Sequence, residues 1–595
     1  MKKRLLIPLS ILALLALVGC SSNTNNSNPS GNTGDDIGSD YDYNDPIDVE
    51  DPEDIEVTET DDEFEISTSD GTYTKTSSGY KISAAGTYTL AGKLNGQILV
   101  EAGDDDEVVL ELNGVSISYD SDSPIKATSG SKLEVSAKKD TDNVIKDNRS
   151  KKTTEVASQG EGAISADIDL KLKGSGTLVV TGNYNNGIHT SKDLTIQKLT
   201  LKATGYNNAI KGKDSVTINS GTVQAYGLNK NGIKTDDSDE SSKGKQRGII
   251  AINGGTVYVD SLHDAIDASY NIEIDELDSE VPTEVTIKTG KNSANYSASS
   301  FKADSEKGLK AANEITINKG TVVIAASDDA IHANYGETLG NGSKGLGNIT
   351  INDGLIQIAS GDDGLHADNT LTVNGGKIVV TNATEGYEAN YIYIKGGYSY
   401  IYGTDDGVNC SKKSFNSCAF TMSGGYLDVA VKSGDTDGID SNGNFTLSGG
   451  TIVTRGSPGT NGSQISTGLD VDGTISMTGG TLSAFNGLEK SPSSSSTIKY
   501  AGTSGANSST GGGPGGGPGG HGPGGQQTSS SSITLSAGNY VLSGINLEVS
   551  FTNDYVYGSF QVYSSYLASN GSYTLSRNGT TVLSWTQSSN SVTIS

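Results

Sequence analysis

Short runs of alternating apolar and polar residues recur along most of the chain. In GLHADNTLTVNGGKIVVTN, every second position within a run is apolar, namely Leu365, Leu371, Val373, Ile378 and Val380. A period of two is typical of β-strands, and each run has only about three to five residues. Asn-Gly, Gly-Gly and Asp-containing breaks separate the runs and indicate turns. We therefore expect an all-β protein with essentially no α-helix.

The pattern returns about every 22 residues as a polar doublet, a small residue and three short apolar runs. The small residue falls at Gly187, Ala209, Gly232, Ala265, Gly308, Ala330, Gly364, Gly386, Gly407, Gly438 and Gly468. Longer gaps are insertions, at 236–248, 278–305 and 335–347. One repeat cannot bury its apolar residues alone, so successive repeats must stack. This predicts a single-stranded parallel β-helix, a solenoid of about 22 residues per coil.

Composition divides the chain into five parts. They are a signal peptide at 1–19, a lipidated cysteine with an acidic tether at 20–66, the β-helix at 67–500, a flexible Gly/Pro/Ser-rich segment at 501–532 and further strands at 533–595. The last part, rich in aromatic residues, is either a closing β cap or a small β-module. The tether has too few apolar residues to offset its ordering entropy, so we expect it to be disordered.

The first twenty residues predict export. Lys2, Lys3 and Arg4 precede an apolar run that ends in the lipobox Leu-Val-Gly-Cys, with Cys20 as the lipidated residue. A plain signal peptide or an N-terminal membrane helix is the alternative. No other segment approaches the ~18 consecutive apolar residues of a membrane helix. We expect an extracytoplasmic monomer at the bacterial cell surface that contacts the membrane through its N-terminal lipid only.

The charge of the chain limits its partners. It has 42 basic and 71 acidic residues, for a net charge of −29. Binding to nucleic acid needs basic residues that displace counterions, so a nucleic-acid ligand is excluded. Anionic membranes are equally poor partners, whereas divalent cations suit an excess of carboxylates.

Stacking would turn equivalent positions into columns with a step of about 4.8 Å. The position before the small residue is occupied by Asn186, Asn208 and Asn231 in early repeats and by Asp329, Asp363, Glu385, Asp406 and Asp437 in later ones. Adjacent carboxylates repel by about 1 kcal/mol even in water. Proton sharing, basic neighbours or cations would relieve this. We expect calcium, which takes about 6–8 oxygen ligands.

The alternative is that Asp and Asn are only good turn residues, and for the asparagines we favour a simple amide hydrogen-bond ladder. A second column, two positions after the small residue, contains His189, Lys211, Lys234, Asp267, Lys310, His332, His366, Glu388, Asn409, Asp440 and Asp470. Its histidines lie among many oxygens, which argues against zinc because zinc prefers a compact set of nitrogen and sulfur ligands.

The order of motifs along the chain carries a family resemblance. It runs from the lipobox and acidic tether through AAGTYTLAGKLNGQILVEAGDDDEVVLELNGVSIS, SPIKA, GNYNNGIHTSKDLTI, NNAIKGKDSVTINSGTVQAYG and DDGLHADNTLTVNGG to the late GGGPGGGPGG tract. Over roughly residues 80–500 it resembles the bacterial carbohydrate-binding-domain-containing β-helix family, itself similar to family-nine pectate lyases. The resemblance implies a right-handed β-helix, bound calcium, and binding of cellulose-like glucans and acidic pectic chains.

The calcium motif of that family falls here on Asp328, Asp329, Asp362, Asp363, Asp405, Asp406, Asp437 and Asp440. Thr384-Glu385 replaces one double aspartate and Asn409 replaces a histidine, so we expect one site in the row to be altered or lost. Calcium would bridge the acidic protein to uronate carboxylates of the glycan.

Three functions remain open. A polysaccharide-binding protein would use exposed aromatic rings, and GYEANYIYIKGGYSYIYG supplies Tyr387, Tyr391, Tyr393, Tyr398, Tyr400 and Tyr402, although tyrosine also simply suits strands. A calcium-dependent polysaccharide lyase acting by β-elimination would need a base, for which Lys310 and Lys234 are candidates, although both could only neutralise carboxylates. A structural or adhesive surface protein is the third. We favour the binding protein, with enzyme activity undecided.

Two cysteines follow Cys20. Cys410 and Cys418 enclose SKKSFNS, and in an extracytoplasmic protein such a short loop favours a disulfide. Two free thiols are the alternative.

Overall fold

The computed structural model describes residues 47, 49–154, 159–297, 305–434, 436–457, 466–503 and 533–594. Over these residues the fold is all-β, as predicted, with one large and mostly parallel sheet. The single helical element in this part is the 3-10 turn Gly290–Asn292. No helix among the described residues is long and apolar enough to cross a membrane. The signal peptide, Cys20 and nearly all of the Gly/Pro/Ser-rich segment lie outside them.

Three parallel ladders organise the large sheet. In the regular repeats each strand pairs with the strand three elements further along the chain, so Ile188 lies beside Ile210 and Ile210 beside Ile233. We call them ladders 1, 2 and 3 in the order in which the chain visits them. Two long strands each contribute to ladders 1 and 2, and two early ones to ladders 2 and 3.

Ladder 1 consists of Gly79–Ile82, Gln97–Glu101, Ile125–Ser129, Gly162–Ala166, Asn186–Thr190, Ile210–Gly212, Ile233–Lys234, Ile266–Ala268, Leu309–Ala311, Ile331–Ala333, Leu365–Val373, Tyr387–Ile394, Val408–Cys410, Ile439–Ser441 and Leu469–Val471. Ladder 2 adds Gly86–Asn95, Glu107–Tyr119, Lys132–Ala137, Asp169–Gly174, Asp193–Gln197, Ser215–Ile218, Ile249–Ile252, Asn271–Ile274, Glu314–Ile317, Asn348–Ile351, Ala419–Met422, Asn444–Leu447 and Ile475–Met477. Ladder 3 adds Asp142–Asp147, Thr177–Gly182, Leu199–Gly205, Gly221–Gly227, Gly255–Ser261, Thr283–Thr289, Thr321–Ala325, Leu355–Ala359, Lys377–Asn382, Tyr398–Gly403, Tyr426–Val431, Thr451–Arg455 and Thr481–Phe485.

Antiparallel strands occur at both ends of the ladders. At the start, Glu65–Thr68 pairs with Gly86–Asn95, and Tyr73–Thr76 pairs with Gly79–Ile82. At the end, Phe560–Ser564 pairs antiparallel with the last ladder 3 strand and with Lys499–Thr503, which also pairs with Ser591–Ile594. A separate four-stranded sheet contains Gly538–Gly544, Leu547–Asn553, Ser572–Arg577 and Thr580–Thr586. The C-terminal part thus both caps the ladders and forms a small module with its own core. One insertion forms the hairpin Tyr335–Thr338 with Lys344–Leu346.

The apolar runs pack into one continuous core. Leu365, Leu371 and Val373 are fully buried, as their alternation predicts. The small residue at the start of each repeat is required because backbones approach closely there. A Cβ atom added to Gly364 would lie 2.5 Å from the carbonyl oxygen of Gly386 in the next repeat.

The described part of the acidic N-terminal segment contacts ladder 3. We call residues 49–64 the acidic strap. Tyr258 Oη and Lys288 Nζ contact Asp51 Oδ1 at 2.7 and 2.9 Å, and Lys202 on ladder 3 pairs with Asp54. The prediction of disorder is therefore wrong for residues 49–66, because basic and hydroxyl groups of the ladders compensate the strap's low apolar content.

The predicted disulfide is absent. Cys410 and Cys418 are both free and buried. The Cys410 side chain lies in the core at 0% exposure, and Cys418 Sγ donates to the carbonyl oxygen of Cys410 at 3.2 Å. The thiol of Cys418 thus faces the backbone of Cys410 and not its sulfur.

Candidate functional site

The strand register confirms the predicted outer column. Along ladder 1 each member lies beside the next, in the order His189, Lys211, Lys234, Asp267, Lys310, His332, His366, Glu388, Asn409, Asp440 and Asp470. The column is mostly basic in its first half and mostly acidic in its second. The outer face of ladder 1 therefore changes the sign of its charge near His332 and His366.

The asparagines form the expected amide ladder. Asn208 Nδ2 donates to Asn186 Oδ1 at 2.8 Å, and the backbone N–H of Asn231 donates to Asn208 Oδ1 at 3.2 Å. A parallel series joins Asn229 to Asn207 at 3.1 Å and Asn207 to Asn185 at 2.6 Å. These amides need no cation because each supplies both a donor and an acceptor.

The carboxylate half makes the same backbone contact. Asp329 Oδ1 accepts the backbone N–H of Asp363 at 3.1 Å, and Asp363 Oδ1 accepts that of Glu385 at 3.2 Å. Asp406 Oδ1 likewise accepts the N–H of Asp437 at 2.7 Å. One oxygen of each aspartate is therefore a turn acceptor, and only the second oxygen is left for a charge partner.

A histidine–carboxylate cluster lies where the two halves meet. The rings of His332 and His366 stack with centroids 4.3 Å apart at 6°. His332 Nδ1 lies 2.5 Å from Asp329 Oδ2, and His366 Nδ1 lies 2.7 Å from Asp363 Oδ2 and 3.2 Å from Glu388 Oε2. The three carboxylates are almost completely buried, at 1–3% exposure.

Lysines border the cluster on both sides. Lys307 Nζ lies 2.9 Å from Asp328 Oδ2 and 2.6 Å from Asp329 Oδ2, and Lys413 pairs with Glu388. Lys307 precedes the small residue Gly308, as Asp329 precedes Ala330 in the next repeat, whereas Lys413 comes from the loop between the two cysteines, which was not predicted to contribute. Lys413 lies 25 residues from Glu388 in the chain, and no sequence pattern indicated that the two side chains would pair.

The charges in this cluster shift the ionisation of its members. Burial opposes ionisation of Asp329, but His332 and Lys307 hold the pKa of its carboxyl well below the usual range. Burial would lower the pKa of His366, yet its hydrogen bonds to Asp363 and Asp368 raise it to about 10. Burial, and then the Asp363 carboxyl, raise the pKa of Glu385 to about 8.

The carboxylates further along ladder 1 lack such partners. Within the described residues, Asp406, Asp440 and Asp470 form no ion pair with a basic side chain. Burial, and then the nearby Asp437 and Asp440, raise the pKa of Asp406 to about 8. Burial and Asp470 raise the pKa of Asp440 to about 7, and burial and Glu489 raise that of Asp470 to about 8. These three aspartates are half-buried. Unneutralised carboxylate oxygens are the donor set that calcium takes, so these residues fit the expected ion.

The candidate catalytic lysines lie together in a cavity of about 220 Å³. Its lining includes Lys234, Lys310, Asp267 and Glu337. Lys234 pairs with Asp267, and Lys310 Nζ lies 3.3 Å from Asp264 Oδ2. Burial opposes the charge on Lys310, but Asp264 and Asp267 raise the pKa of its amine above the usual value. A raised pKa keeps the amine protonated, which is the wrong state for a base.

A larger groove of about 570 Å³ lies over the asparagine ladder. Polar side chains line it, including Lys152, Asn185, His189, Asn207, Lys211 and Lys230. His189 Nδ1 is buried there and has no hydrogen-bond partner among the residues that the structure describes. Burial, and then Lys211, lower the pKa of His189 to about 4, so its ring is neutral. This groove, which no sequence motif singled out, is larger than the cavity that contains Lys234 and Lys310.

The six tyrosines proposed for sugar binding do not share one face. Tyr387 is fully buried in the core and donates to Ser399 Oγ at 2.8 Å. Tyr400 is 5% exposed, and Tyr402 Oη meets Tyr555 Oη of the C-terminal module at 3.3 Å. Tyr398 packs beside them. Tyr387 and Tyr400 are therefore wrong as exposed sugar platforms, because Tyr387 lies in the core and Tyr400 is covered by its packing with Val379 and Tyr426.

Tyr391 and Tyr393 are only half-buried and remain on the outside. Tyr391 lies 6.2 Å from Phe415, which lies 4.6 Å from Tyr335 between ring centroids. Tyr335 and Phe415 come from two insertions and were missed by the sequence analysis. Tyr335 N–H donates to Asp368 Oδ2 at 2.8 Å, so this aromatic group adjoins the histidine–carboxylate cluster.

The chain resembles known carbohydrate-binding domain-containing proteins over part of its length. A family model described as carbohydrate-binding domain-containing protein matches residues 76–346 and 336–386. A carbohydrate-binding domain-containing protein of Acetivibrio thermocellus is 36% identical over 284 residues, which cover 47% of this chain and 90% of that protein. The solved structure of the polysaccharide lyase-like protein from C. thermocellum, a gadolinium derivative, has 29% identity and a TM-score of 0.35, covering 44% of this chain and 95% of that one.

Proposed function

Because this chain belongs to the family of carbohydrate-binding domain-containing proteins, we propose that it binds a polysaccharide along the outer face of ladder 1. The groove over the asparagine ladder carries this proposal. Its volume of about 570 Å³ lies in the range of ligand sites, and amide and ammonium groups line it. Amides donate to and accept from sugar hydroxyls, and lysines pair with uronate carboxylates. The acidic strap contacts ladder 3, and none of its residues lines this groove.

The proposal includes the winding of the chain. We propose a right-handed parallel β-helix with three strands per coil. The pairing of every third strand and the repeat spacing of about 22 residues support this arrangement. In such a solenoid, ladder 1 would present one continuous face along which a linear glycan can extend.

The glycan class we propose is that of plant cell walls, with cellulose-like glucans and acidic pectic chains. The neutral amides suit a glucan, and the exposed Lys230 beside them suits a uronate. In the second half of ladder 1, calcium would be held by Asp406 and Asp440 with their acidic neighbours. There it would supply positive charge toward uronate carboxylates that the acidic protein otherwise repels.

The proposed location is the outer surface of a bacterial membrane. The lipobox that ends at Cys20 supports a lipid anchor, and the acidic segment after it would serve as the connection to the ladders. Mass spectrometry of the N-terminal peptide from native membranes tests this point. An unmodified Met1 or an unlipidated Cys20 would contradict it.

Isothermal titration with defined oligosaccharides tests binding. Cello-oligosaccharide and oligogalacturonate should bind saturably and starch oligosaccharide should not, with the uronate arm weakened by EDTA. Lys230→Ala should weaken oligogalacturonate binding several-fold and leave the glucan nearly unchanged. Lys139→Ala, an exposed lysine outside the groove, is the matched control. Absence of saturable binding to both glycans would leave an adhesive or structural role instead.

A calcium-dependent polysaccharide lyase is the alternative. The cavity that brings Lys234 and Lys310 together near Asp267 favours it, while the protonated state of Lys310 opposes it. β-Elimination creates an unsaturated uronate with a new ultraviolet absorbance. Incubation with polygalacturonate and calcium should give no rise, and a rise abolished by Lys310→Met would establish the lyase.

A further inference from the structure

We propose that the histidine–carboxylate cluster in the middle of ladder 1 is a binding site for one transition-metal ion of the zinc class. The ligands would be His332, His366 and Asp329, with Asp363 and Glu388 available to complete the set. This ion is distinct from the calcium proposed further along the ladder, and its site does not depend on carbohydrate binding.

The donor atoms already converge. One nitrogen of each histidine and one oxygen of Asp329 lie within 4.8 Å of one another, and a second such group joins Asp363, His366 and Glu388. Asp329 Oδ2 lies 2.5 Å from His332 Nδ1 and 3.9 Å from His366 Nδ1. Ligand atoms of a tetrahedral zinc with bonds near 2.1 Å are about 3.4 Å apart. The two observed separations bracket that value, so small shifts of these side chains would bring Asp329 Oδ2 to it for both histidines.

The opposite side of each imidazole is oriented by one carboxylate. Asp368 Oδ1 lies 3.5 Å from His332 Nε2 and 3.3 Å from His366 Nε2. Histidines that bind metals through one nitrogen regularly donate from the other to a carboxylate, which fixes the ring and its tautomer. Asp368 is itself held by the backbone N–H of Tyr335. The structure therefore has both the ligands and the outer carboxylate that a histidine metal site uses.

The local charge favours a divalent ion. The carboxylates around the two imidazoles are Asp328, Asp329, Asp362, Asp363, Asp368, Glu385 and Glu388, and the lysines paired with them are Lys307 and Lys413. Lys307 also holds Asp328, so it would stay anchored if a metal took Asp329 Oδ2. Calcium prefers oxygen donors alone, whereas imidazole nitrogen suits zinc and cobalt.

Titration of the chelator-treated full chain with Zn²⁺ in excess Ca²⁺ tests the proposal. One Zn²⁺ should bind per chain, and Co²⁺ should give visible ligand-field absorption that Zn²⁺ abolishes. His332→Gln and His366→Gln should each weaken Zn²⁺ binding more than tenfold, and Asp368→Asn by on the order of 10- to 100-fold. His189→Gln, at the equivalent position of the asparagine half, should bind as the parent does.

X-ray absorption at the zinc edge of the unaltered protein supplies a test that needs no variant. Two imidazole ligands in the first coordination sphere would support the site, and an all-oxygen sphere would overturn it. The proposal is also overturned if Ca²⁺ abolishes Zn²⁺ binding, or if folded His366→Gln and His189→Gln bind Zn²⁺ equally.

Discussion

The asparagine half and the carboxylate half of ladder 1 share one backbone contact and differ at a single side-chain atom. In both halves Oδ1 accepts the N–H of the equivalent residue in the next repeat, as Asn208 does for Asn231 and Asp329 does for Asp363. The second atom of asparagine is a donor and binds the neighbouring amide. The second atom of aspartate is an acceptor, and it recruits Lys307 and His332.

The difference teaches why the two halves need different surroundings. An amide column satisfies itself, and so the outer face beside it is free to form a groove. A carboxylate column needs protons or cations from elsewhere. Where lysine and histidine supply them, the pKa of Asp329 falls, and where they do not, the pKa of Asp406 rises to about 8. The turn and metal interpretations of these aspartates are therefore compatible, because they concern different oxygens.

The largest loss of stability should come from removing the ammonium group of Lys307, which lies where the asparagine half and the carboxylate half meet. Lys307→Met leaves Asp328 and the buried Asp329 without their ammonium partner, and breaking a buried pair costs about 3–5 kcal/mol. Chemical denaturation at pH 7 with EDTA measures the loss. Lys171→Met, a half-buried lysine on ladder 2, is the control. A loss no larger than the control's would mean that the histidines alone neutralise the column.

The second largest loss of stability should follow from a substitution that makes the asparagine half resemble the carboxylate half. Asn208→Asp keeps the oxygen that accepts from Asn231 but places an acceptor against Asn186 Oδ1. A buried acceptor without a donor costs about 1–3 kcal/mol, and a charged one costs more. We expect a loss of about 3 kcal/mol in urea unfolding at pH 7. The partly exposed Asn207→Asp should lose less, and equal losses would contradict the burial argument.

The reverse change should stabilise the second half when metal is absent. Asp406→Asn keeps the oxygen that accepts the backbone N–H of Asp437. It removes a charge that the neighbouring carboxylates repel, and we expect this to raise the free energy of unfolding by about 1–3 kcal/mol. The raised pKa of Asp406 means that the folded state binds more protons than the unfolded state between about pH 4 and pH 8. Stability of the EDTA-treated parent should therefore fall as pH rises through that window.

Thermal unfolding at pH 5 and pH 8.5 measures this pH dependence. Asp406→Asn should reduce the fall, and calcium should remove it in the parent but less completely in the variant. A parent protein more stable at pH 8.5 than at pH 5 without metal would show that some basic group already neutralises the column.

Much of this organisation was predictable from the sequence, and the reasons for the exceptions are physical. The period of two and the 22-residue repeat predicted the strands and the order His332, His366, Glu388 along ladder 1, because register follows directly from the repeat. The expectation of no zinc site rested on the many oxygens around the histidines and did not include the stacking of the two imidazole rings. Their separation of 34 residues includes an insertion, which the structure loops out as the hairpin that starts at Tyr335.

The predictions for the tyrosines and the cysteines were wrong for a different reason. Alternation gives the two faces of a strand but not what covers each face. Tyr402 lies outward on its strand and is still covered by Tyr555, which is 153 residues away. Cys410 and Cys418 are close in sequence, but the inward direction of Cys410 decides that its sulfur packs in the core.

The smallest effect should come from the acidic strap, which crosses ladder 3 in the same repeats that carry the asparagines. Asp51 contacts Tyr258 and Lys288, and Asp54 pairs with Lys202, but both aspartates are 60% or more exposed. Exposed pairs contribute about 0–1 kcal/mol and weaken in salt. Asp51→Asn should therefore leave global unfolding almost unchanged while it speeds proteolysis within residues 49–64, and high salt should do the same to the parent. Glu59→Gln is the control, because Glu59 forms no ion pair within the described part of the chain. If Asp51→Asn and high salt leave cleavage of this segment unchanged, the strap is held by the buried Val49 and by the hydrogen bond that Gln224 Nε2 donates to the Glu53 carbonyl oxygen, and its charge has no part in its position.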